Sequence, residues 1–171
     1  MIDRCRIEDL WTRGEARALS RMLADRRSEW SSYSVDRDLP QPCGAALAIL
    51  TLRELGAVAS DPLVAEMADS LLACQGPRGG WESPWVTALV LKALAEADRD
   101  QAAFARGLAY LASSQERRGG WSGQAIQGYH DTAFVLTMLG DLDDFRQAVD
   151  LGRILDWHQE GLPGNQVSDD A

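Results

Sequence analysis

A histidine and an aspartate stand side by side at His130-Asp131, directly before Thr132-Ala133. An imidazole next to a carboxylate is an acid/base pair. With an unperturbed pKa of about 6.5, imidazolium is a gentle acid, suited to activated carbons rather than to an isolated alkene. The plain alternative makes Asp131 a helix cap and leaves His130 to bond locally. A second acidic run, Asp141-Leu142-Asp143-Asp144, reads as a helix start, with Asp143 or Asp144 as the capping acid favoured by the helix dipole. Cys43-Gly44 opens an apolar run; a thiol there is either a nucleophile at a helix N-terminus or a small buried residue. Trp85 and Tyr129 have π faces that can stabilise a cation or hold a polyene. Arg37, Arg78, Arg117 and Arg118 fall in nearby loops and could clamp an anion.

The elements that must position these groups are repeated. Gln75-Gly76-Pro77-Arg78-Gly79-Gly80-Trp81 recurs 40 residues on as Gln115-Glu116-Arg117-Arg118-Gly119-Gly120-Trp121. An amphipathic helix is expected before each motif, over 61–75 and 100–115. Asp61 is expected to cap the first, with Pro62 at its first position. Leu63, Val64, Met67 and Leu71 fall at helical spacing there, as do Phe104, Leu108 and Leu111 in the second. A more apolar helix follows each motif, and Thr-Ala sits at the same place in both. An upstream copy aligns Pro42 with Pro84 and takes Trp30 as its loop tryptophan. A downstream half copy is expected as one amphipathic helix over 144–159. Outer helices thus alternate with inner helices that are apolar nearly all round, and such pairs bury their faces only by stacking. In this register Cys43, Trp85 and His130 are equivalent positions that open the inner helices and gather at one mouth. Asp141 to Asp144 fall at the opposite end of the bundle.

Gln-x-x-x-Gly-Gly-Trp, followed by an apolar helix carrying Thr-Ala, resembles the QW repeat of squalene–hopene cyclases, oxidosqualene cyclases and protein prenyltransferase β-subunits, over about residues 40–160. The resemblance implies an all-α fold, a partial α/α toroid of about three and a half helix pairs where a complete ring has about six. Tight glycine turns and tryptophans that seal neighbouring outer helices would be its structural parts. It further implies an apolar cavity for a hydrophobic unsaturated small molecule, an isoprenoid or polyene, and its cyclisation or isomerisation. His130 takes the place of the aspartate that acts as proton donor in the cyclases, and only Asp131-Thr132-Ala133 of their acid motif remains. The zinc site of the prenyltransferases is not expected, because Asp131-Thr132-Ala133 lacks the cysteine and His158 falls on an outer helix. Cys43-Gly44-Ala45-Ala46 likewise lacks the residues of the thioester that related toroids carry. A half ring would be completed by a second copy or a partner protein; the alternative function is such a non-catalytic binding or assembly module.

Composition narrows the setting. The 171 residues are 46% hydrophobic and 25% charged, the profile of one globular domain, expected over 1–160 with a disordered tail over 161–171. A net charge of −9 and a pI of about 4.6 argue against nucleic acid and against anionic membrane surfaces. No apolar run reaches membrane-spanning length, and the N-terminus lacks the apolar core of a signal peptide. Three unpaired cysteines suggest neither a disulfide framework nor a metal site. A cytoplasmic protein without cofactor is the expectation.

Overall fold

The computed structural model describes residues 42–98, 100–117, 119–121 and 125–161, with 125–129 and 157–161 described by backbone alone. Trp30, Arg37 and Arg118 lie outside the described residues, as do 1–41 of the expected domain and 162–171 of the expected tail. Seven helices and no strand fall within them: α1 (Pro42–Glu54), α2 (Pro62–Ala73), α3 (Pro84–Glu96), α4 (Gln101–Ser114), α5 (Ala125–Leu139), α6 (Asp143–Ala148) and α7 (Leu151–Gly161). The described chain is therefore all-α. None of these helices is long and apolar enough to cross a membrane.

The inner row is α1, α3 and α5, with α3 in the middle; α2 packs on α1, α4 on α3, and α6 on α4. Helix α3 is buried from Val86 to Leu91 and again at Ala93 and Leu94, as its lack of a polar face requires. Each of its large aliphatic side chains contributes about 1.5–3 kcal/mol. The outer helices bury one stripe each: Leu63, Val64, Met67 and Leu71 on α2, Leu108 and Leu111 on α4. Asp61 accepts from Leu63 N at 2.8 Å with proline next in line, so the expected cap is present.

The repeated motif is the joint between units. In the first copy Gly76 N donates to Gly80 O, and Gln75 Nε2 donates both to Gly79 O and to Ala103 O in the next outer helix, each at 2.8 Å. In the second copy Glu116 N donates to Gly120 O, and Gln115 Nε2 donates to Gly119 O and to Asp150 O. Gly79 (φ +89°) and Gly119 (φ +110°) need glycine twice over: a Cβ would fall 2.6 Å from Arg106 O and 2.1 Å from Arg153 O. Trp81 spans neighbouring outer helices. Its Nε1 donates to Leu71 O at 2.7 Å, and its ring edge lies 3.2 Å from where a Cβ on Gly107 would stand. Trp121 repeats this with Leu111 O at 2.9 Å and with the Phe145 ring, centroids 6.3 Å apart.

Three expectations about helix ends need correction. Helix α5 begins at Ala125, so His130 and Asp131 lie inside it and Asp131 is not its cap. The expected single helix over 144–159 is two, broken at Val149-Asp150. The cap of α6 is Leu142, with no side-chain bond; Asp143 and Asp144 fall in its first turn. Asp150 explains the break. Its backbone N–H and C=O are both taken by Gln115, while its own Oδ1 accepts from Arg153 N at 3.0 Å and starts α7.

Candidate functional site

The loop end of the inner row is set by two threonines. Thr87 Oγ1 accepts from Trp81 N at 2.8 Å, and Thr132 Oγ1 accepts from Trp121 N at 3.0 Å. Both side chains are buried. The chain from tryptophan to threonine is longer in the second copy, yet the bond is kept. It pins α3 and α5 in equivalent register, which holds Trp85 and His130 at matching heights two residues before each threonine.

One turn beyond His130 on α5 is Phe134, and residues four apart share a helix face. Its ring meets Trp85 of α3 edge to face, with centroids 5.8 Å apart and planes at 90°, a geometry that aromatic quadrupoles favour. Trp85 and Phe134 are half-buried and His130 is exposed. Trp85 and Phe134 thus form an apolar aromatic step, with His130 one helical turn away along α5. Phe134 is the member that sequence spacing did not single out; its signal was the four-residue interval from His130. Asp131 is half-buried and engaged. Tyr129 lies on α5, described by its backbone alone.

Other candidates point elsewhere. Cys43 is 1% exposed. Burial, and then the negative charge of Glu82, push its thiol up to about 11, so it is a neutral core residue at pH 7 and a poor nucleophile. Arg78 is exposed, with its guanidinium 5.9 Å from the centre of the Tyr110 ring on α4. The contact is of cation–π type and faces an outer helix. Arg117 is exposed. Between Trp81 and α3, Glu82 is held at φ +49° and the buried Ser83 Oγ has no hydrogen-bond partner among the described residues. No group of three or more histidine, cysteine or acidic side chains there could hold a metal ion.

The opposite end is charged. Across the inner row run Arg53 to Glu96 at 4.0 Å, Glu96 to Lys92 at 3.7 Å and Lys92 to Asp141 at 2.8 Å, tying α1, α3 and the end of α5. Arg53, Lys92 and Glu96, with Leu50, Glu54, Thr137 and Met138, line a groove of about 330 Å³. The Lys92 hydrogen bond holds the Asp141 carboxyl below its ordinary range. A second groove, about 460 Å³, opens between the end of α3, α4 and the start of α6. The acidic run is thus divided: Asp141 pairs with Lys92, Asp143 with Arg146, and Asp144 lines this groove.

No family model, curated protein or solved structure matches this chain. Function therefore rests on the residues themselves.

Proposed function

We propose that this is a helical-repeat protein that holds a hydrophobic unsaturated small molecule, an isoprenoid or polyene, against the loop end of its inner helices and promotes its isomerisation or cyclisation. The reading is supported chiefly by the Trp85–Phe134 edge-to-face pair one helical turn from His130. Two aromatic faces offer an extended polyene dispersion and π contacts. His130, exposed one helical turn from Phe134, is the proton carrier, with Asp131 on the adjacent face of α5. Imidazole is by nature a gentle acid–base group, which fits proton transfer at an activated carbon better than protonation of an isolated alkene.

The test is binding followed by turnover. Retinol and geranylgeraniol, added to the purified protein, are expected to shift its native mass and to quench tryptophan emission. Trp85→Phe with Phe134→Ala should lose the complex. His130→Ala should keep it but abolish double-bond migration read by NMR. No retained ligand in the wild type would end this reading. Retention without chemistry, unchanged in His130→Ala, would reduce the protein to a carrier.

A second reading, an assembly module, is supported by Leu47 on α1 and Leu155 on α7, which are 48% and 63% exposed. Sedimentation that gives a dimer, lost in Leu47→Ser or Leu155→Ser while polyene binding persists, would favour it.

A further inference from the structure

We infer that the groove between α3, α4 and α6 is a binding site for a small amphipathic cation: an organic ammonium on an apolar, aromatic-sized body. The floor is apolar, built from Leu94 of α3, Phe104 and Leu108 of α4, and Leu142 before α6. The volume of about 460 Å³ lies in the range of small-molecule sites. The rim is one-signed. Asp98, Asp143 and Asp144 all border the floor. Asp143 pairs with Arg146, whereas the side-chain carboxylates of Asp98 and Asp144 form no hydrogen bond or ion pair with any described residue. The exposed carboxylates of this rim would repel an anion and attract a cation, whereas a neutral body would gain nothing from them.

The geometry also separates this groove from the aromatic step. Asp98 follows the last turn of α3 and Asp144 lies in the first turn of α6, so both belong to the end opposite the glycine turns. Asp98 stands at φ +50°, in the left-handed region where aspartate and asparagine are the tolerated side chains after glycine. The backbone there fixes a carboxylate at the lip of an apolar groove. The site stands independently of the proposed function.

The experiment uses an isosteric series, 4-phenylbutylamine, 4-phenyl-1-butanol and 4-phenylbutyrate, titrated into the protein and followed by amide chemical shifts. Two exposed carboxylates acting on one ammonium are expected to favour the amine over the alcohol by about tenfold. The shifts should centre on Leu94, Ala95, Ala105 and Asp144, and high salt should shrink the preference. Asp98→Asn with Asp144→Asn should equalise amine and alcohol while both still bind. Ala105→Trp, at an exposed position of α4 that lines the groove, should block both. Equal binding of amine and alcohol to the wild type, shifts centred elsewhere, or no shifts with any of the three would each overturn the inference.

Discussion

Gln115 grips Asp150 by both of its backbone groups: Nε2 donates to the carbonyl at 2.9 Å and Oε1 accepts from the amide at 3.1 Å. The equivalent Gln75 does this differently. Its Nε2 reaches Ala103 O, while its Oε1 accepts from the Arg106 guanidinium. A backbone clamp withdraws Asp150 from a continuous helix; a side-chain clamp leaves α4 whole. The two copies of one motif thereby produce one unbroken and one broken outer helix.

Replacing Gln115 by alanine should release α7. Two partly exposed hydrogen bonds across the joint are lost, for about 1–3 kcal/mol together. Amide exchange should accelerate through 151–156 and remain slow in α3. Unchanged exchange in α7 would show that its packing, through Ile154, holds it without the clamp.

Thr132→Val should cost about 1–3 kcal/mol, because the buried Trp121 N–H is left without an acceptor. Thr132→Ser should restore most of it. The urea midpoint measures both, and equal loss in the two variants would assign the effect to packing instead of the hydroxyl.

Cys43 and Cys74 should separate by reactivity. Cys74 is exposed and Cys43 is buried with its thiol near 11. Iodoacetamide at pH 8 is expected to modify Cys74 in the native protein and Cys43 only after denaturant, as read by peptide mass. The sign of the linkage follows. A thiol raised from 9.0 to about 11 favours the folded state below pH 9, and this contribution is lost as pH rises towards 11.

The pairing of Lys92 with Asp141 predicts an acid-side effect. The folded carboxyl titrates below its ordinary 3.8, so its stabilisation is present above that value and is lost as pH falls through the lowered one. Both partners reach solvent, and the pair is worth about 1 kcal/mol or less. Lys92→Met should flatten the fall in thermal midpoint below about pH 4, and added salt should mimic it.

The helix pairs were legible because Gln-x-x-x-Gly-Gly-Trp repeats whole and because apolar spacing differs between α2 and α3. The turn glycines were legible too, since two in a row at a helix end leave few other uses. The start of α5 was not. Alignment on Thr-Ala placed it near His130, while the helix runs back to Ala125 through Ile126, Gln127 and Gly128, which carry no capping side chain. The break at Asp150 was hidden because its cause is Gln115, a partner distant in sequence. For the site, Trp85 was visible as an aromatic at an inner-helix start. Cys43 was visible as a residue, but its burial beneath neighbouring helices depends on packing that spacing does not encode. The contact of Arg78 with Tyr110 was hidden for the same reason: Tyr110 belongs to the following outer helix.

Each glutamine clamp also has a direction. The turn that carries Gln75 closes on its own backbone, Gly76 to Gly80, with nothing required from α4. The side chain then waits for a helix that comes later in the chain, as Gln115 waits for Asp150. Each turn therefore presents a preformed docking point to a segment that follows it in the chain, and the joint is complete only when that segment has packed.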